Sequence, residues 1–176
     1  MDKIRVTTEI KPKYLFRFQV YHTYFGLTGI LLVLLSVMAL VDLIGNFGSM
    51  AVWAKIFCIF ILIWGLVLNP LNLYYKSKKQ AATTELFQHP IDVEISKDGL
   101  GIFQGDKGGL VEWKDITKIV VLKNVVLFYM GKVRAHLLPL DQNPEQADDI
   151  VELIRKSAKG RRVIVHRRKR RKRKGA

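Results

Sequence analysis

Two long stretches of this chain contain no lysine, arginine, aspartate or glutamate: Phe18 to Val41 and Ile56 to Tyr75. No other feature limits the fold so strongly. The first overlaps an apolar run from Tyr24 to Ile44, YFGLTGILLVLLSVMALVDLI. A helix of that length covers about 30 Å, the thickness of a bilayer's hydrocarbon core. The second run extends from Val52 to Leu73, with Lys55 near its start and Asn69-Pro70 near its end. Pro70 has no backbone donor and crowds the preceding turn, so it is expected to kink or end that helix. The intervening Gly45 to Ala51 contains Gly45, Gly48 and Ser49, which suit a tight turn. These features predict a transmembrane hairpin within residues 23–79, with spans at about 24–44 and 52–73. The first run reads as a span rather than a signal peptide, because it is long and about twenty residues, many of them polar, precede it.

Lysine and arginine near the ends of spans set orientation. Lys3, Arg5, Lys11, Lys13 and Arg17 precede the first run, and Lys76, Lys78 and Lys79 follow the second; the loop has none. Both termini are therefore expected in the cytoplasm, giving a multi-pass protein of the cell membrane. Tyr21, Tyr24, Tyr74 and Tyr75 fall where an interfacial belt would lie on that side. Asp42 and Lys55 sit at the far ends, where they can pair or reach water. At mid-depth only Ser36, Cys58 and Trp64 break the aliphatic pattern, which does not make a pore. Cys58 is the single cysteine, so no intramolecular disulfide is possible.

The pattern changes from Pro90 onward. Ile91-Asp92-Val93-Glu94-Ile95 alternates as a half-buried strand does, and Asp98-Gly99 signals a hairpin into Leu100 to Gln104. Gly105 to Gly109 reads as a glycine-rich turn. Leu110 to Trp113, Ile116 to Leu122, Val125 to Met130 and Val133 to Leu138 follow as short strands, about six in all with hairpin spacing. Asn143 and Pro144 predict a helix start. Ala147, Ile150, Val151, Ile154 and Ala158 give that helix one apolar stripe, with Asp148, Asp149, Glu152, Arg155 and Lys156 facing away. Gly160 stops it. Ile4 to Ile10 alternates as well and can add a seventh strand, followed by an amphipathic helix from Pro12 to His22. The expected fold is an α+β membrane protein: residues 1–22 as a cytoplasmic strand and helix, the hairpin, and residues 84–158 as a small antiparallel pleckstrin-homology-like barrel closed by a C-terminal helix.

This layout resembles the YcxB-like bacterial membrane proteins. The resemblance rests on Ile91-Asp92-Val93-Glu94-Ile95 with Asp98-Gly99, Glu112-Trp113-Lys114-Asp115-Ile116, Leu127-Phe128-Tyr129 and Leu138-Pro139. In layout it covers about residues 4 to 157, and in motifs residues 91 to 139. Leu140 departs from the family, where a lysine commonly follows that proline. The resemblance implies a pleckstrin-homology-like cytoplasmic domain on a membrane hairpin, and it supplies no catalytic residues and no ligand.

The sequence carries no recognisable pattern for reaction chemistry. His22, His89, His136 and His166 fall in four different elements without metal-ligand spacing. There is no G-x-S-x-G elbow, and Gly105-Asp106-Lys107-Gly108-Gly109 lacks the ending of a phosphate loop and leads into a strand. The chain is accordingly read as non-enzymatic, with no catalytic residue, metal or cofactor. Trp113 and Asp115 remain as interaction or structural residues, with Trp113 either packing on the closing helix or lining a groove.

The net charge of +14 comes largely from one place. Arg161, Arg162, Arg167, Arg168, Lys169, Arg170, Arg171, Lys172, Arg173 and Lys174 occur with no acidic residue among them; the rest of the chain has nineteen basic and fifteen acidic residues, a balance of +4. Residues 160–176 are expected to form a polybasic tail. Contact with an anionic lipid bilayer is the leading expectation, at about 1 kcal/mol per basic residue near the surface. RNA or ribosome binding is a second, salt-dependent possibility; no aromatic residue interleaves the run to stack on bases. A solvated tail that only enforces topology is a third. The expected function is a membrane-anchored interaction or scaffold module, against the alternatives of a tether to RNA or ribosomes and an accessory subunit of a membrane transporter or enzyme, packed on an integral membrane protein partner.

Overall fold

A computed structural model describes residues 3–131 and 133–166. The chain divides into two compact units. One combines the residues up to Tyr14 with those from Ala81 onward, and the other is Leu15–Gln80.

The helical unit follows from the two apolar runs. Helix α1 (Pro12–Tyr24) begins in the first unit and ends in this one, and α2 (Leu27–Gly45) follows after a two-residue break. Gly29 stands where a Cβ would lie 2.0 Å from the Thr23 carbonyl oxygen, so only glycine lets the end of α1 lie against the start of α2. The second long helix starts as α3 (Val52–Ile63), widens to a π turn over Trp64–Leu68, and continues as α4 (Asn69–Thr83). Pro70 therefore does not end the helix, which extends beyond the expected boundary at Leu73; the turn before it widens instead. Both helices are long and apolar enough to cross a membrane, and little of either is buried in the protein. Leu31, Leu34, Met38, Phe57, Phe60 and Ile63 are all exposed. At the connecting turn, Asn46 Nδ2 donates to Asp42 Oδ1 (3.3 Å), and Lys55 Nζ lies 4.3 Å from the centre of the Phe47 ring.

The second unit holds two four-stranded sheets and a helix. In the first sheet, β1 (Lys3–Thr8), β2 (Ile91–Ser96), β3 (Gly99–Gln104) and β4 (Lys107–Glu112) lie in that order, all antiparallel. The N-terminal strand pairs along its whole length with β2, Lys3 opposite Ser96 and Thr8 opposite Ile91. Ile4, Val6, Ile91, Val93 and Ile95 point into the core, while Arg5 and Asp92 meet outside at 2.7 Å. The β3–β4 turn is shorter than expected: Lys107, Gly108 and Gly109 are strand, and the turn falls on Gly105-Asp106, where Gly105 takes φ +57. Phe103 fills the space that two glycines leave, since a Cβ on Gly101 or Gly108 would come within 2.7 or 2.5 Å of its ring.

The second sheet has the order β7 (Ala135–Pro139), β6 (Val125–Tyr129), β5 (Lys118–Val121), β8 (Arg162–Val165). Every residue of β6 is buried, which accounts for its unbroken apolar run. Strand β8 lies within the run expected to be an appendage, and it pairs parallel to β5 with Arg162 opposite Lys118 and Val165 opposite Val121. It also explains why the expected barrel does not close. Strand β5 has β6 on one side and β8 on the other, so its free edge is not available to β4, and the sheets remain separate among the described residues.

Helix α5 (Ala147–Ser157) buries Ala147, Ile150, Leu153 and Ile154 and pairs Lys156 with Glu152 at 2.8 Å. It starts later than the sequence suggests. Asn143 does not cap it; its Nδ2 donates to the Thr7 carbonyl at 3.4 Å, and Gln146 takes the N-cap position without a side-chain bond.

Candidate functional site

The expected basic residues fall into two groups. Arg162 opens β8, and the Arg161 N–H donates to the Ala158 carbonyl (3.2 Å) in the turn made by Gly160 at φ +79. Arg167, Arg168, Lys169, Arg170, Arg171, Lys172, Arg173 and Lys174 lie outside the described residues. What the structure fixes is where that segment begins. The His166 N–H donates to the Val121 carbonyl at 2.8 Å, so the chain is held to β5 up to the first residue after β8. Val163, Ile164 and Val165 make this possible: three β-branched residues between two arginine pairs are a short strand, a signal hidden by the charge around it.

The end of the sheet from which the basic segment leaves carries a polar cluster that the sequence did not single out. Asp141, just past β7, accepts from Lys13 Nζ at 2.8 Å, from Tyr14 Oη at 2.5 Å and from Asn124 Nδ2 at 3.4 Å. Gln142 Nε2 donates to the Glu9 carbonyl (2.7 Å) and to Tyr14 Oη (3.2 Å), while its Oε1 accepts the Glu9 N–H (2.8 Å). Burial raises the proton affinity of Asp141, but the hydrogen bonds from Lys13 and Tyr14 outweigh it and hold the carboxyl below its usual range. Burial, helped by the neighbouring Asp141, pushes the Tyr14 phenol up, and the bond to Asp141 pushes Lys13 up. The first turn of α1 is thus locked to the β6–β7 end of the sheet. Asp141 and His166 lie at that same end on its two outer strands, three strand intervals or about 14 Å apart.

Trp113 and Asp115 belong to a 3-10 turn, Trp113–Asp115, that joins the two sheets. The indole is buried, its Nε1–H donates to the Ser96 carbonyl at 3.1 Å, and its ring lies 6.4 Å from that of Phe128. These contacts tie the β2–β3 turn to the second sheet. Asp115 is exposed beside it. Neither residue is brought together with the basic strand.

One cavity opens between the sheets, about 150 Å³ in volume, lined by Ile10, Phe87, Ile91, Val93, Ile102 and His136 among others. Burial holds the His136 imidazole below its ordinary value. Among the described residues no three His, Cys, Asp or Glu side chains lie close enough to hold a metal ion.

No curated protein and no solved structure matches the chain. A family model does, from the last residues of β2 through β3 to β7 and most of α5, about a third of the chain. The match includes Trp113, Asn124, His136, Asp141 and Gln142 and leaves out β1, α1 with Lys13 and Tyr14, the long helices and β8. Over residues 95–154, this chain matches the family described as YcxB-like protein.

Proposed function

We propose that this protein is a non-enzymatic interaction module anchored in the cell membrane by its helical hairpin, with both termini in the cytoplasm and its basic C-terminal segment on anionic lipid. The observation that carries the reading is the exit point of that segment. Strand β8 leads to His166 at the end of the sheet to which Lys13 and Tyr14 are locked, the end where the chain enters the helix leading to the first apolar run, and in the sequence the next eight residues are all lysine or arginine. Residues 167–176 can reach at most about 35 Å from His166 when fully extended. The start of that basic stretch is thus held by a strand, which supports the reading. The two-sheet unit with one covering helix has the outline of a pleckstrin-homology-like domain without the closing strand pair. The exposed aliphatic and aromatic surface of both long helices supports the anchor, because water does not tolerate apolar patches of that extent.

The test uses the full chain in liposomes. Trypsin cleavage within residues 167–174 is followed on neutral vesicles and on vesicles containing phosphatidylglycerol. Cleavage about tenfold slower on the anionic vesicles is expected, since each basic residue at such a surface contributes about 1 kcal/mol, and 0.5 M salt should restore the rate through screening. Equal rates on the two lipids would overturn the reading, as would protection that appears only when RNA is added.

A further inference from the structure

We propose that the cavity between the sheets is a binding site for a small uncharged aromatic alcohol of about the size of phenol, whose ring meets the apolar wall and whose hydroxyl bonds to the His136 imidazole. The cavity measures about 150 Å³. An apolar space of about that size has room for benzene, and this one opens to the surface, so a ligand has a way in. Ile91 and Val93 of β2 and Ile102 of β3 form one wall, and Leu137 of β7 lies on the other. His136 is the single polar side chain in the lining, and its imidazole makes no hydrogen bond among the described residues. A neutral imidazole offers one donor and one acceptor, and a hydroxyl can meet either. Because burial keeps this imidazole neutral near pH 7, the cavity holds no cation to receive a carboxylate or phosphate, and an ion entering it would lose its hydration without compensation. A lone water is a poor occupant, because it needs two to four polar partners.

The cavity is also built in advance of any ligand. Leu86 and Phe87 line it from a 3-10 turn, Glu85–Phe87, that joins α4 to β2. Gln104 Nε2 holds that turn against β3 by donating to the carbonyls of Leu86 (3.1 Å) and His89 (3.3 Å). Binding of such a ligand is independent of any lipid contact by the basic segment.

The experiment uses the full chain in neutral-lipid nanodiscs, with 4-fluorophenol and fluorobenzene as probes observed by fluorine NMR. Saturable broadening of both probes beyond that seen with empty nanodiscs is expected. His136→Phe should weaken 4-fluorophenol about fivefold, the worth of one hydrogen bond, and leave fluorobenzene unchanged. Ile102→Trp, which puts a larger side chain into the lining from the β3 wall, should remove both. Phenol should shift the His136 imidazole resonances of the unaltered protein, a readout that needs no variant. No saturable binding above empty discs would overturn the proposal, as would equal weakening of both probes by His136→Phe or an unmoved His136 resonance.

Discussion

The Tyr24 hydroxyl donates to the Gly65 carbonyl at 3.0 Å, and it does so because the helix cannot. In the π turn the Asn69 N–H reaches back to Trp64, five residues away, and so leaves the Gly65 carbonyl that it would bond in an α-helix. The next residue in line is Pro70, which has no N–H to offer. Tyr24 supplies the missing proton from the other helix, and Asn69 Nδ2 donates in turn to the Tyr24 oxygen at 3.4 Å. Gly65 also permits the approach, since a Cβ there would lie 2.8 Å from Ser36 Oγ.

Tyr24→Phe should therefore destabilise the helical unit by about 1 kcal/mol, the scale of an interhelical hydrogen bond in a membrane. Pro70→Ala restores a donor, so the same Tyr24→Phe change in that background should cost close to nothing. Unfolding of the four proteins of this cycle in mixed detergent micelles gives the coupling. Equal costs in both backgrounds would show that the π turn and Tyr24 are unrelated.

Trp113 is tested by a change that keeps its ring. Trp113→Phe retains an apolar ring but leaves the Ser96 carbonyl without its indole donor. A loss of about 1 to 3 kcal/mol is expected, the cost of a buried polar group left unpaired. Denaturant unfolding of the full chain followed by circular dichroism reads it. An unchanged midpoint would free Trp113 from its structural duty and return it to the candidates for ligand contact.

Among the described residues, His136 and Asp141 contribute to the response to acid, beside the exposed Asp92, whose bonds from Thr7 and Arg5 also hold it below its ordinary value. His136 has a folded-state pKa below its ordinary 6.5, because burial disfavours the charged ring. The unfolded chain then takes up a proton that the folded chain refuses, so the stability this residue contributes is complete above pH 6.5 and declines as pH falls below it. Asp141 is depressed below its ordinary 3.8: burial opposes, and the Lys13 and Tyr14 hydrogen bonds prevail. Its contribution is complete above that value and is lost as pH falls through its folded-state value. Stability should decrease in two stages on acidification, each with a slope of at most about 1.4 kcal/mol per pH unit for one proton. His136→Phe should remove the first stage and Asp141→Asn should flatten the second, in thermal melts across pH 3 to 8. A profile unchanged in either variant contradicts the corresponding assignment.

The sequence was most legible where one periodicity dominated. The first apolar run, the alternation of Ile4 to Ile10 and Ile91 to Ile95, and the stripe on α5 map onto elements close to their expected bounds, because one periodicity leaves a regular pattern, while the second run continues past Leu73 to Thr83. It was least legible where partners lie far apart in the chain. Val163 to Val165 look like a pause in a basic run until β5 is beside them, and the cluster around Asp141 depends on Lys13 and Tyr14, 128 and 127 residues away. Pro70 gave a true signal with an incomplete outcome: the backbone donor is missing as expected, but a tyrosine on another helix makes good the loss. The N-terminal strand matters for any dissection of this chain, since a fragment starting at residue 84 would lack β1 and expose Ile91, Val93 and Ile95 along one edge.

The central claim is that the chain is a two-span anchor with both ends on the cytoplasmic side. The most direct measurement places single cysteines at Ser49 and at Thr84 in a Cys58→Ser background and labels intact cells with a membrane-impermeant maleimide. Ser49→Cys should label from outside, and Thr84→Cys should label only after the cells are opened. Labelling of Thr84→Cys in intact cells, with Ser49→Cys protected, would contradict the account.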